Sequence, residues 1–359
     1  MKRLTIALAV AALLPLAGGA QQAPPAVPVP EIAFDGDVEF LKVPPNVYFG
    51  EVAGVAVNSQ HHVFVFSRGG TVGPAFGAAA AQLFEFDQKG AFVREIGKGM
   101  YSMSYAHSVR IDRDDNIWLV DKGSDMIVKL TPAGRVAMVF GRKKEASDEA
   151  VPWTRATPPR AHVDGQFRQP TDVTWDTQGN VFISDGYINS RVAKFSRDGE
   201  WMKSWGEKGT KDGEFDTPHS IAADARGNIY VADRGNQRIQ VFDPDGRHLR
   251  SIRVSVPAPP GAKAAIGNTP GPEVAGTQAP GAPWAICITP GPDQVMFSSD
   301  AFPGRVYKMT LDGKVLGVLG KSGKQAKQFG WIHEIACPSA NELYVAELLN
   351  WRVQKLTLR

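Results

Sequence analysis

The sequence predicts an all-β protein, a six-bladed β-propeller. Three observations lead there. A unit of roughly 50 residues recurs along the chain. Each copy divides into short alternating apolar runs, most of them closed by Asp, Gly, Asn or Pro, which is strand-and-turn chemistry at four strands per unit. The last copy lacks its final run, while a matching run stands near the N-terminus. A ring in which the two ends share a blade accounts for this and leaves no open sheet edge. An open solenoid is the alternative, and the missing last strand speaks against it.

In chain order, residues 1–20 carry a basic pair, Lys2 and Arg3, then an apolar run from Leu4 to Leu16 that is too short to span a bilayer, then Gly18-Gly19-Ala20 before Gln21. This pattern predicts a secretory signal peptide. Residues 21–36, opening with QQAPPAVPVP, are expected to form a linker. The propeller is expected over 37–359, with residues 37–43 (DVEFLKV) as the strand that closes the ring.

The first copy, 52–97, contains an Ala-rich insertion at 73–81. The second, 106–141, reads DDNIWLVD, MIVKLTPAG and RVAMVFG. The third, 170–206, reads QGNVFISD, SRVAKFSRDG and EWMKSWG. The fourth runs from Pro218 to Arg253. The fifth, 283–320, is looser, and the sixth has IHEIACP, NELYVAE and WRVQKLTLR. Insertions at 142–168 and 255–282 break the period. They read as surface excursions, and the second, rich in Pro, Gly and Ala, is placed to cover one mouth of a channel.

Forty Lys and Arg against 37 Asp and Glu give a net charge of +3, with no basic block of the kind that binds nucleic acid. The cluster Arg142-Lys143-Lys144 reads as solvated loop charge. No later segment has the length and apolarity of a transmembrane helix. A secreted or periplasmic monomer is expected. Export permits a disulfide, but spacing leaves open whether the two cysteines, Cys287 and Cys337, pair.

Histidine occupies one slot in alternate copies: His107, His219 and His333. Fourteen residues on from each stands an acid, Asp121, Asp233 and Glu347. The same slot in the intervening copies holds Ala53, Thr171 and Trp284. In a propeller the first strand of each blade lines the channel, so the three histidines fall roughly 120° apart around one axis. Three converging imidazoles with a fourth position open are how a catalytic zinc is held. His61, His62, His162 and His248 show no such pattern and read as turn or loop residues.

Fifteen residues beyond the slot come Arg68, Lys122, Gly186 and Arg234, all expected at the same mouth, with Tyr187 next to Gly186. A guanidinium fork suits a carboxylate. A tyrosine beside a dication and two guanidiniums is expected to titrate low and is a candidate base. Arg191 and Arg238 recur in the repeat core and read as structural.

The segments FSRGG, AHSVRID, QPTDV, SDGYINSR, TPHSIAAD, ADRGNQRIQ and IHEIA resemble peptidyl-α-hydroxyglycine α-amidating lyase over about residues 50–357, and repeat cores such as DRGNQRIQVF resemble NHL repeats. The resemblance implies a propeller lyase that cleaves the N–C bond of a carbinolamide to a primary amide and glyoxylate. It implies zinc on His107, His219 and His333, a catalytic Tyr187, and Arg68 and Arg234 as substrate-binding or charge-stabilising groups. It further implies a structural calcium held by the main-chain carbonyls of Val55 and Val109 and the side chain of Glu334. The chain departs from that family in having Glu334 in place of Asp, and Ile188 and Val241 in place of two disulfide cysteines. No copper monooxygenase half accompanies the motifs.

The implied substrate is a small molecule or peptide bearing a carboxylate. Two other classes fit the ring: a non-catalytic NHL propeller that binds a protein or glycan, and a calcium-dependent hydrolase of the lactonase sort. The latter requires acidic and Asn ligands on the axis, where this sequence has histidine.

Overall fold

The computed structural model describes residues 29–69, 81–144, 156–270 and 276–359. The expected signal peptide, most of the expected linker and most of the Ala-rich insertion lie outside the described residues, as do parts of the two longer insertions.

Six four-stranded antiparallel sheets form the blades of a propeller. The fourth blade shows why the sequence folds this way. Its second and third strands, Ile229–Asp233 and Arg238–Phe242, are buried at every position, because neighbouring blades cover both faces. The outermost strand, His248–Ile252, alternates between partly buried and exposed positions and meets solvent on one face. His248 therefore opens a strand instead of lying in a loop.

The turns joining first and second strands share one device. Asp112, Asp176 and Asp224 each accept N–H bonds from residues two and four positions on, which explains the recurring D-x-x-x-N in the sequence. Gly179 and Gly227 sit in these turns at φ +86° and +84°, a region that penalises a Cβ.

The ring closes through the N-terminus, though not where the sequence suggested. The strand that completes blade six is Phe34–Asp37, paired antiparallel with Arg352–Leu358. Phe34 stacks on Phe329, with ring centroids 6.4 Å apart, which fixes this earlier register. The run at 37–43 turns its apolar side chains into the seam between blades six and one, with Phe40 against Tyr344 at 5.8 Å. The Lys42 N–H donates to the Gly90 carbonyl of blade one. Upstream, at the edge of blade five, the Ile32 N–H donates to the Val318 carbonyl and the Val318 N–H donates to the Pro30 carbonyl. One segment thus touches blades five, six and one, and the propeller begins before residue 37.

Cys287, on the inner strand of blade five, is disulfide-bonded to Cys337, just beyond the inner strand of blade six. The bond closes a loop with a sequence separation of 50. Loop entropy alone assigns about 4 kcal/mol to such a closure. The double variant Cys287→Ala/Cys337→Ala is expected to lose about 2–4 kcal/mol in denaturant unfolding. Unfolding coincident with the unmodified protein would show that the strand exchange at the termini suffices to hold these blades.

Candidate active site and metal centre

His107, His219 and His333 lie on the inner strands Ala106–Ile111, Pro218–Ala223 and Ile332–Ala336. Each stands where the pairing to the second strand slips by a bulge. A bulge breaks the alternation of the pleat and re-aims a side chain, here into the channel. The three rings form a near-equilateral triangle, with centroids 4.5, 4.7 and 4.8 Å apart. Among the described residues they are the one group of three such side chains whose ligand atoms come together, within 4.8 Å of one another.

The intervening slots have a function that the sequence reading missed. The Nδ1 atoms of His107, His219 and His333 bond the carbonyls of Thr171, Trp284 and Ala53, at 2.6, 2.6 and 2.7 Å. These are the slot residues of the next blade round the ring. A carbonyl can only accept, so each Nδ1 carries the proton and each Nε2 keeps its lone pair. Burial, reinforced by neighbouring positive charge, holds all three imidazoles well below their ordinary pKa and therefore neutral. Three neutral, buried, oriented nitrogens fit a borderline-soft dication such as zinc.

Tyr187 reaches over this triangle. It follows the strand Val181–Asp185 of blade three, and its backbone is held by the Gln169 carbonyl. The preceding Gly186 allows the approach, since a Cβ there would lie 1.9 Å from the Pro218 carbonyl oxygen. The phenol oxygen sits 3.3 Å from His107 Nε2 and 3.2 Å from His219 Nε2.

Three cations border the phenol. Lys122 Nζ lies 3.5 Å from the centroid of its ring, and Arg234 stands 5.7 Å from that ring and 4.3 Å over Trp284. Arg68 lies over Tyr105 at 4.1 Å. Burial pushes the Tyr187 phenol up, but Arg234, Lys122 and Arg68 together pull it down further, so its pKa is lowered. Arg68 is already engaged, through Nη1 with Glu51 at 2.7 Å and Nε with the Ala106 carbonyl at 2.8 Å. Lys122 falls in the ring of positions counted from the histidines, but only its place above Tyr187 makes it part of the site.

The acids fourteen residues after the histidines do not enter the triangle. Asp121 accepts the N–H groups of Ser104, Tyr105 and Ser124, and Asp233 and Glu347 bind Asp216 and Gly330 likewise. They pin the loop that leads into the first strand, and Asp185 does the same in blade three, which has no such histidine. Arg191 and Arg238 support these acids, at 3.2 and 2.8 Å.

Beneath the triangle the channel is filled. Glu334 Oε2 accepts the N–H groups of Val55 and Val109, at 2.9 and 3.1 Å. Asp172 accepts Ser220 Oγ and the Ile221 N–H, and Arg110 lies between the two carboxylates. Ser108 Oγ is 2.7 Å from Asp172 and 2.8 Å from Glu334. One hydroxyl proton serves only one of them. Burial raises the Glu334 carboxyl above its ordinary range, against the opposing pull of Arg110.

The fold and site define a β-propeller with a three-histidine centre on its axis. Residues 215–242 match the NHL repeat. The chain is similar to mouse peptidyl-glycine alpha-amidating monooxygenase, 28% identical over 62% of this chain and 24% of that protein. It is similar also to a probable peptidyl-alpha-hydroxyglycine alpha-amidating lyase of Caenorhabditis elegans, 30% identical over 58% of this chain and 60% of that one. The matched region thus spans about a quarter of the mouse protein and three fifths of the nematode one. Virginiamycin B lyase from Staphylococcus aureus shares the fold, with a TM-score of 0.54 at 13% identity over 92% of this chain and all of that one. This protein is a six-bladed β-propeller with one stretch matching the NHL repeat, and it is similar to peptidyl-α-hydroxyglycine α-amidating lyases.

Proposed function

We propose that the chain is an exported zinc lyase that cleaves the N–C bond of an α-hydroxyglycine-type carbinolamide, releasing an amide and glyoxylate. The observation that carries this reading is the Tyr187 phenol, poised beside the Nε2 atoms of two of three converging, neutral histidines. The lyases among its sequence relatives and the disulfide, a bond of oxidising compartments, support it.

His107, His219 and His333 would hold the metal, which when bound supplies Lewis acidity at the open side of the triangle. Tyr187, as phenolate, takes the proton of the substrate hydroxyl. The C–O bond becomes a carbonyl, the C–N pair leaves with the amide nitrogen, and that nitrogen gains a proton. No oxidant or reductant enters. Arg234, stacked on Trp284, pairs with the substrate carboxylate, while Arg68, braced by Glu51, offsets charge as it develops.

The test is elemental analysis of the purified protein, followed by an assay of glyoxylate release from an α-hydroxyglycine peptide. Zinc at about one per chain with glyoxylate formed is expected. No zinc after metal-replete purification overturns the metal assignment, and zinc-loaded protein that forms no glyoxylate overturns the reaction. Arg234→Ala is expected to raise KM about tenfold or more, the loss of a charge-assisted carboxylate contact. An unchanged KM would remove Arg234 from substrate binding.

A further inference from the structure

The channel beneath the histidines contains an internal cation. Arg110 Nε donates to Asp172 Oδ1 at 2.9 Å and Nη2 to Oδ2 at 2.5 Å, a two-pronged pair. The same Nε lies 3.1 Å from Glu334 Oε1, and Nη2 reaches Ser220 Oγ at 3.3 Å. The side chains of Asp172 and Glu334 are 2% and 3% exposed, so neither carboxylate has bulk water as an alternative partner.

Calcium takes six to eight oxygen ligands and is anchored by carboxylates. The acidic side chain expected to anchor it here is Glu334. Its Oε2 is already bonded by the Val55 and Val109 N–H groups, and its Oε1 meets Ser108 and Arg110. A dication bound to Glu334 would lie within a few ångströms of the guanidinium, where like charges out of water repel strongly. The donor set does not fit calcium.

We propose that the Arg110 guanidinium does the work of a channel metal, joining blades two, three and six through Asp172 and Glu334, so that this propeller binds no calcium at its axis. Asp172, from blade three, in turn holds blade four through Ser220 Oγ and the Ile221 N–H. With Glu334 holding blade one through the Val55 N–H, one covalently attached cation thereby organises five of the six inner strands. The claim is independent of the lyase reading, since it concerns calcium content and unfolding and not zinc or turnover.

The experiment uses the full chain, purified and equilibrated with millimolar calcium, then freed of loosely held ions by dialysis. Bound calcium is measured by elemental analysis, and Tm is followed as calcium is added. No retained calcium and no Tm shift are expected. Calcium at about one per chain, or a Tm that rises with calcium, would overturn the proposal. Arg110→Ser opens the position. It is expected to melt roughly 5 °C or more below the parent, because it leaves buried carboxylates unpaired, and to recover part of that loss on adding calcium. Should Arg110→Ser not fold, Arg110→Lys keeps the charge without the fork and is expected to fold with an intermediate Tm. An Arg110→Ser protein as stable as the parent would show that the guanidinium does not hold the channel.

Discussion

Replacing His219 with alanine is expected to abolish tight zinc binding and lower glyoxylate release by more than about 100-fold. The size follows from the geometry. Each imidazole would supply one Nε2 to a centre whose three candidate ligand atoms lie within 4.8 Å of one another, and among the described residues no acidic side chain joins that group. Two imidazoles leave a site too open for a dication to persist through purification. The His219 ring is also held by the Trp284 carbonyl, so its removal frees that oxygen and leaves a void beside Trp284. A modest fall in Tm accompanies the loss of metal, and His107→Ala and His333→Ala are expected to behave alike. Stoichiometric zinc in His219→Ala would show that the triangle is not the metal site. A parent protein without zinc, and indifferent to the substitution, would favour a propeller that only binds a partner.

Tyr187→Phe separates chemistry from metal binding. The ring stays between Lys122 and the histidines, so zinc content and fold are expected to be kept, while turnover falls about 100- to 10,000-fold, the usual contribution of a positioned proton-transfer group. Only the hydroxyl is lost, and it is the atom 3.2–3.3 Å from two ligand nitrogens. Its loss should appear in kcat with little change in KM, because the carboxylate contacts lie with the arginines. Turnover retained in this variant would remove Tyr187 from the proton path.

Much of this was legible in the chain because a propeller writes the same sentence six times. Strand order, blade count and the position of the histidines follow from a repeat whose apolar runs must fit between two neighbours. What was not legible depends on atoms that side-chain identity does not encode. Ala53, Thr171 and Trp284 share no chemistry as side chains, so the sequence could not show that their carbonyls orient the three histidines. The sequence shows an acid at a fixed spacing from each histidine but not its role; Asp185 has the same role in a blade without such a histidine, which marks it as loop architecture. Arg110 stands three residues after His107 and drew no notice, because its meaning lies in Asp172 and Glu334, brought from 62 and 224 residues away by the closure of the ring. The closing strand was misplaced by a few residues because the apolar run lies in 37–43, whereas the strand that pairs, 34–37, has only Phe34 as an apolar side chain. The choice rests on Phe34 finding Phe329, a contact between opposite ends of the chain.

The N-terminal segment that spans blades five, six and one sets an order on assembly. The residues at 30–43 are made well before Val318 and Arg352–Leu358, to which they bind. The lock is therefore the first part of the ring to leave the ribosome and the last to find its place. Until the final strand arrives, blade six lacks the edge on which Phe34–Asp37 pairs, and the earlier blades remain an open arc with exposed flanks. A nascent chain of this design cannot commit to its ring shape until Arg352–Leu358 has been made.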